Sequence, residues 1–496
     1  MKKRICLFLL ALSLLLTACG PSARTDPDPA PEDPAPEASS GSQPAASEPE
    51  TVTLMGVEIT EETSERERGW LKDLDTLRKD FERRHPKPYY RCSKEEFVWK
   101  LEQLAGRIQT LSDSDLYFEL SAIVAAMDDG IHTSVVTPPF LFDRSFPVYI
   151  YCFEGKAYLW SYAEKYEQFA PFLMHEIVAV NGVDMSYILR KAESFLNPGN
   201  KWNAMSFYEM NFAPCAAFYD WAGCGYKEGY TFQFLNDSRE VVSVEVPTLP
   251  YEEVIELITS NSYAHVENIG LFSALKAKAS ENWTEYLDGA NGGCVYVAFG
   301  DVRTEEQANY QGTLSAEAAR LAAEHPECRK LVIDLRGNGG GYVGRLKYFQ
   351  KNMEALKASS IQQTYVLTGG YSMSAATYCA SFFKGEMGAV LVGEPMGEFI
   401  SFYAGSTDTY QQPPILLPYS QLSVEVAAAW RDWEKDREQF GYNEWGQWAR
   451  LAEEYYDEDG DLYDWETTVL PDVFVSQTAE DARQGKDSLL EWVFAQ

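Results

Sequence analysis

Histidine is scarce in this chain, with 5 among 496 residues. No two of them fall at ligand-pair spacing, so a catalytic zinc site is not expected and no metal is assigned. Basic residues are also under-represented. Lys and Arg total 42 against 75 Asp and Glu, a formal net charge of −33. Phosphate backbones are bound by basic faces, so nucleic acid is excluded as a partner. Cysteine says little. Beyond Cys6 and Cys19, the remaining positions 92, 152, 215, 224, 294, 328 and 379 are odd in number and lack metal-ligand spacing. They read as buried small apolar residues, with a Cys215–Cys224 disulfide left open. After the first 20 residues no apolar run approaches the roughly 20 needed to span a bilayer. The glycine cluster Gly337-Asn338-Gly339-Gly340-Gly341 has no following Lys-Ser/Thr, so it is not a P-loop. No cofactor is expected.

What is present begins with a processing signal. Lys2, Lys3 and Arg4 precede an apolar run from Ile5 to Leu16, followed by Leu16-Thr17-Ala18-Cys19. Small residues leading into a cysteine resemble a bacterial lipobox. That resemblance implies removal of residues 1–18, lipidation of Cys19 and a place on the outer face of the bacterial cytoplasmic membrane. The lipid would be the chain's only membrane contact. Residues 19–57 are rich in Pro, Ala, Ser, Asp and Glu and cannot bury a core, which predicts a disordered tether. The rest is rich in aromatics, with 12 Trp, 30 Tyr and 26 Phe, and that suits large cores or apolar grooves.

Periodicity divides the remainder. Trp70, Leu71, Leu74, Leu77 and Phe81 recur at helical spacing up to His85-Pro86. Two more helices are predicted, one from Ser93 and one from Ser112 or Ser114 to Met127, each opened by a capping residue. Residues 58–137 therefore form an N-terminal helical part. Strand patterns follow at Phe146–Phe153, Ala157–Ser161 and Glu176–Val180, the last leading into an Asn181-Gly182 turn. From Gly293 onward strands and helices alternate, which predicts an α/β sheet with packed helices. Helices are expected over Ser315–Glu324, Gly344–Leu356 and Ser374–Lys384.

Two stretches of this last region carry chemistry. Leu331 to Gly341 reads LVIDLRGNGGG, a buried-strand pattern that stops at glycines whose amides can converge. Gly369 to Thr377 reads GGYSMSAAT and places two serines just ahead of a helix, where unbonded N–H groups and the helix dipole favour negative charge. An oxyanion site beside a nucleophile points to acyl transfer. Ser374 is the candidate nucleophile, with Ser372 as competitor or helix cap. The Ala375 amide and those of Gly339 or Gly340 are the candidate oxyanion donors. Asp334, Arg336 and Asn338 are expected to shape the first loop.

Four motifs in order, IDLRGNGGG, SAA after a strand, VGEP at Val392–Pro395, and LPD followed by Gly485-Lys486-Asp487, resemble the carboxyl-terminal processing serine peptidases. That family includes the tail-specific and tricorn core proteases. The resemblance implies a crotonase/ClpP-like α/β core at 286–496, and HEIVAVNGVDM resembles the late part of a PDZ domain inserted at 138–285. It also implies a peptide or protein substrate and a nucleophilic Ser374. The tail-specific branch carries a lysine shortly after GEP, but here Met396-Gly397-Glu398-Phe399-Ile400 follows and the next lysine toward the C-terminus is Lys435. The tricorn-like branch uses a histidine from before the insert. His132, in DDGIHTSVV, holds that place, and an imidazole suits a general base near neutral pH. In that branch a glutamate before a Pro-Asp pair orients the histidine, which maps to Glu466, while Ile131 replaces the branch's serine before the histidine. The expectation is a Ser-His serine endopeptidase anchored in the cell envelope. The alternative is an inactive relative that binds peptides as a lipoprotein.

Overall fold

The strands that read as continuous apolar runs lie at the centre of a six-stranded sheet. In the computed structural model, residues 52–89, 92–127, 131–196, 200–225, 229–260, 262–264, 275–276, 278, 280–302, 310–342, 346–400, 402–405, 412–431 and 469–496 are described. A two-stranded antiparallel hairpin, Val52–Leu54 paired with Val57–Ile59, precedes three N-terminal helices: α1 (Glu65–Arg84), α2 (Lys94–Ala105) and α3 (Asp113–Ala125). The Ser93 hydroxyl accepts the Glu96 amide, and Ser112 forms a reciprocal capping box with Asp115. Each satisfies donors that a helix start leaves unbonded.

A short strand, β1 (Ser134–Val135), leads into a seven-stranded antiparallel sheet. Its principal strands are β2 (Val148–Phe153), β3 (Lys156–Ala163), β4 (Glu176–Val180), β5 (Tyr230–Leu235) and β6 (Val241–Val246). After β4, Asn181 and Gly182 turn the chain with φ of 50° and 81°, values that Asn and Gly tolerate best. This sheet does not have a core to itself. Leu74, Phe81 and Leu120 from the helices join Ile150, Phe232 and Val424 in one apolar cluster. At its centre Phe118 packs against Phe195, Phe212, Phe218 and Trp221, which accounts for part of the aromatic richness.

The six-stranded sheet contains β7 (Asn282–Leu287), β8 (Cys294–Phe299), β9 (Lys330–Asp334), β10 (Gln363–Thr368), β11 (Val390–Gly393) and β12 (Val473–Phe474), in that spatial order. Only β7 is antiparallel to its neighbour. Side chains of β8 alternate between faces. Val295, Val297 and Phe299 point into the core under α4 (Tyr310–Glu324) and α5 (Ala375–Met387), whereas Cys294, Tyr296 and Ala298 meet α6 (Ser488–Ala495). Burial on both faces is why these strands read as unbroken apolar runs.

The helix expected over 344–356 is two short ones, Leu346–Gln350 and Met353–Lys357. Asn352 between them sends its side-chain amide to Gly312 O and Ser315 Oγ, both at 2.9 Å, anchoring the break to α4. The seven described cysteines are unpaired, Cys215 and Cys224 included. Among the described residues no helix is long and apolar enough to cross a membrane, and no group of three His, Cys, Asp or Glu could hold a metal ion.

Candidate active site

The parallel strands end together, so the loops after β9, β10 and β11 meet at one edge of the sheet. In an open α/β sheet this edge is where ligand sites form.

The first loop is shaped by its own polar residues. Asp334 accepts the Arg336 amide at 2.9 Å and grips the guanidinium through both oxygens, while Tyr296 donates to it at 2.5 Å. Arg336 also pairs with Asp487 at 2.8 Å, so the distant Gly485-Lys486-Asp487 motif braces the same turn. Asn338 is fully buried. Its Nδ2 donates to Phe299 O at 2.7 Å, and its Oδ1 accepts the Gly340 amide at 2.8 Å. The Gly340 N–H is thereby committed. The Gly339 N–H, by contrast, donates to no group among the described residues.

Gly340 has φ of +104°, and a Cβ there would lie 2.6 Å from Ser374 Cβ and 3.1 Å from Ser374 Oγ. Both the conformation and the space require glycine. Gly340→Ala is expected to cost about 2–4 kcal/mol in urea unfolding, from strain and overlap together. A stability within ~0.5 kcal/mol of the parent, the range of ordinary surface changes, would contradict this packing.

The second loop puts Ser374 in a strained turn. Its φ of 53° and ψ of −127° are rare for a side-chain-bearing residue, and α5 starts at the next position. Such strand-turn-helix elbows push a serine hydroxyl out of the backbone's way. Ala375 is the first helical residue, so its N–H belongs to the set a helix leaves unbonded. The Thr377 hydroxyl donates to Ser374 O at 2.8 Å and holds the elbow from the helix side. Ser372, the competing serine, is fully buried. It donates to Leu335 O at 2.8 Å and accepts the Gly369 amide, tying the two loops together instead of capping the helix. Gly370 allows close contact from outside, since a Cβ there would meet Trp202 O at 2.2 Å.

The loop after β11 supplies a residue that the sequence reading passed over. Glu398, buried to 1 % exposure, accepts the Ser374 amide on Oε2 at 2.6 Å. Its Oε1 lies 3.4 Å from the Ile131 amide and 3.6 Å from His132 Nε2. One carboxylate thus joins the serine elbow to the histidine segment from before the antiparallel sheet. Strand β1 holds that segment in place by pairing with Ser423–Glu425, and Thr133 Oγ1 accepts the Ala427 amide at 3.1 Å. Ile131 contributes only backbone. A signal for Glu398 was present: a lone acid within Met-Gly-Glu-Phe-Ile must be buried with its neighbours, and a buried carboxylate needs partners.

Ser374, Gly339, Gly340 and Ala375 therefore fall at one edge of the six-stranded sheet, and His132, on a segment held by a separate sheet, reaches them through Glu398. Glu466 and Cys19 lie outside the described residues.

No protein-family model matches the sequence, and no curated protein matches it. Solved structures do. A CPAF mutant aligns over 87% of this chain and 97% of its own, with a TM-score of 0.51 and 11% identity. Mature CPAF aligns over the same shares with a TM-score of 0.50, also at 11% identity. The chain shares the CPAF fold. The photosystem II D1 C-terminal processing protease covers 83% of this chain at 11% identity, but its TM-score of 0.29 is too low to add weight. At such identities the CPAF likeness speaks for the fold, and the chemistry rests on the site itself.

Proposed function

We propose that this chain is a serine endopeptidase that cleaves peptides or protein tails through an acyl-enzyme on Ser374. One observation carries the reading. A serine on a strained elbow, packed against a glycine and followed by an unbonded helix amide, shares a carboxylate with a histidine about 240 residues upstream. The four ordered motifs and the CPAF-like fold support it.

In the proposed reaction Ser374 Oγ attacks the scissile carbonyl carbon while His132 takes the hydroxyl proton. The carbonyl oxygen becomes an anion that the Ala375 and Gly339 amides receive. Gly340, its amide held by Asn338, would instead shape the cradle. Collapse breaks the C–N bond, the imidazolium gives its proton to the leaving amine, and water, activated by the same imidazole, releases the acyl group. Glu398 occupies the stretch after GEP where the tail-specific enzymes carry lysine. There its negative charge would stabilise the imidazolium and fix the elbow. Substrate tails would dock on the inserted β region, where β6 is an edge strand able to accept an added strand.

Incubating the mature chain with a peptide mixture and following products by mass spectrometry tests the reading. Turnover is expected, and Ser374→Ala should lower it by about 10³-fold or more. Peptide binding without products, unaffected by Ser374→Ala, would favour the non-catalytic binding protein instead.

The envelope location is part of the same proposal. Cys19→Ala should move the protein from the membrane fraction to the soluble fraction of expressing cells. Equal membrane retention of both forms would remove the lipid anchor.

A further inference from the structure

A short helix between β4 and β5, Lys201–Phe207, reaches both loops that carry the Ser374 and Glu398 groups. Asn200 caps it, its Oδ1 accepting the Asn203 amide at 2.9 Å. The same side chain also bonds outward, for Asn200 Nδ2 donates to Met396 O at 2.7 Å. Asn203, in the first turn, sends its Nδ2 to Gly370 O at 3.0 Å. Both asparagines are buried. Met396 stands two residues before Glu398, and Gly370 four before Ser374. One helix start therefore holds both loops by their backbone carbonyls.

The three backbones meet closely. A Cβ on Gly397 would lie 2.0 Å from Gly370 O and 2.6 Å from Asn203 Nδ2, and one on Gly370 would lie 2.9 Å from Asn203 N. The Gly397 amide donates to Ser372 O at 2.9 Å, so the loops also touch directly. At the other end of the helix the Phe207 ring stands edge-on to Tyr371, with centroids 6.2 Å apart. An apolar side chain could fill the space of Asn203, and burying an amide is unfavourable unless it is bonded. What only the amide supplies is a donor. Its Oδ1 accepts no hydrogen bond among the described residues, whereas its Nδ2 meets Gly370 O and lies 3.8 Å from Met373 Sδ, both in the serine loop.

We propose that Asn203, oriented by Asn200, is a positioning residue that fixes the Ser374 elbow against the Glu398 loop. This role rests on the peptidase reading of Ser374. Asn203 touches no reacting atom and acts through the loop it holds. Without its donor, the Gly370 carbonyl is left buried and unbonded unless the loop moves. A shift of about 1 Å in a reacting group can cost about 10²-fold in rate.

The test compares the protein with Asn203→Ala and Asn203→Leu, which remove the donor with and without loss of volume. Ser206→Ala is the control, since Ser206 Oγ donates to Trp202 O within the same helix. Peptide cleavage is one readout. The other is amide hydrogen exchange over Gly369–Ala376 and Met396–Ile400, where the Ser374 and Gly397 amides bond across the loops. In both Asn203 variants kcat should fall about 30–100-fold while KM stays within about three-fold of the parent. Exchange in both segments should quicken about ten-fold or more, with β9 still protected and the melt within a few degrees. Ser206→Ala should match the parent throughout. Folded Asn203 variants that exchange like the parent in both segments, or cleave within about two-fold of it, overturn the proposal. So does a rise in exchange across the whole chain, or the same losses in Ser206→Ala, either of which makes Asn203 a contributor to general stability alone. A parent that neither cleaves peptides nor reacts with a fluorophosphonate at Ser374 would sink the peptidase reading by itself. The exchange comparison then decides separately whether Asn203 holds the two loops together.

Discussion

His132→Ala should lower kcat for peptide cleavage by about 10³–10⁴-fold while leaving the thermal melt within a few degrees of the parent. The two halves of that expectation separate catalysis from folding. His132 keeps partial exposure, with 24 % of its side chain accessible. The fold around it is held by neighbours, Thr133 on Ala427 and Ser134–Val135 in a sheet with Ser423–Glu425. Removing the imidazole would therefore take away the proposed proton acceptor without unpicking those bonds. A general base alone is worth about 10²–10⁴ in rate. If His132→Ala and the parent cleave within two-fold of each other, as judged by stopped assays across pH (about 6 to 9), another group is the base.

Glu398→Ala should cost both stability and rate, because the carboxylate serves two purposes at once. In the folded chain it accepts the Ser374 amide and lies against Ile131 N and His132 Nε2 while almost completely buried. Truncation leaves buried N–H groups without their acceptor, at about 2–5 kcal/mol in urea unfolding. The strained φ of Ser374 then loses the contact that fixes it, so kcat should fall by about 10²-fold or more. Glu398→Gln separates the two roles. Its carbonyl oxygen can still accept the Ser374 amide, so most of the stability should return, but its neutral amide cannot stabilise an imidazolium. Recovery of stability with a persistent loss of kcat and a shifted acid limb of the pH profile is the expected pattern. Full recovery of both would reduce Glu398 to a structural brace.

The candidate site's loops were legible in the sequence to the extent that they are local. Ser374 ahead of Ala375, and the glycines after Leu335, are strand-to-helix and strand-to-loop punctuation that short-range rules recognise. The same holds for the caps at Ser93 and Ser112 and the turn at Asn181-Gly182. What stayed hidden depends on contacts across the chain. Ser372 resembles a helix cap until the end of β9 arrives to accept its proton. Gly340 resembles an amide donor like Gly339 until Asn338 folds back onto it. Glu398 lies 24 residues beyond Ser374 and meets His132 only because three parallel strands end at one edge. The two-helix break at Asn352 has the same origin, since its side chain is drawn off by α4. Apolar periodicity carries no record of such polar cross-links.

The joining of distant motifs follows one pattern. Asp487 reaches Arg336 of the first loop, and Asp472 of the LPD motif accepts the Leu391 amide at 2.9 Å and pairs with Lys384 at the far end of α5. Carboxylates thus lock the strand ends and the α5 helix in place, and the Ser374 elbow sits on that frame.

Peptide mapping after reaction of the protein with a fluorophosphonate bears most directly on Ser374 as nucleophile. A single phosphonyl adduct on the peptide containing Ser374 is predicted, formed faster as pH rises through the imidazole range and absent from Ser374→Ala. A folded chain that forms no adduct between pH values of about 6 and 9, or forms it on another residue, would contradict the assignment.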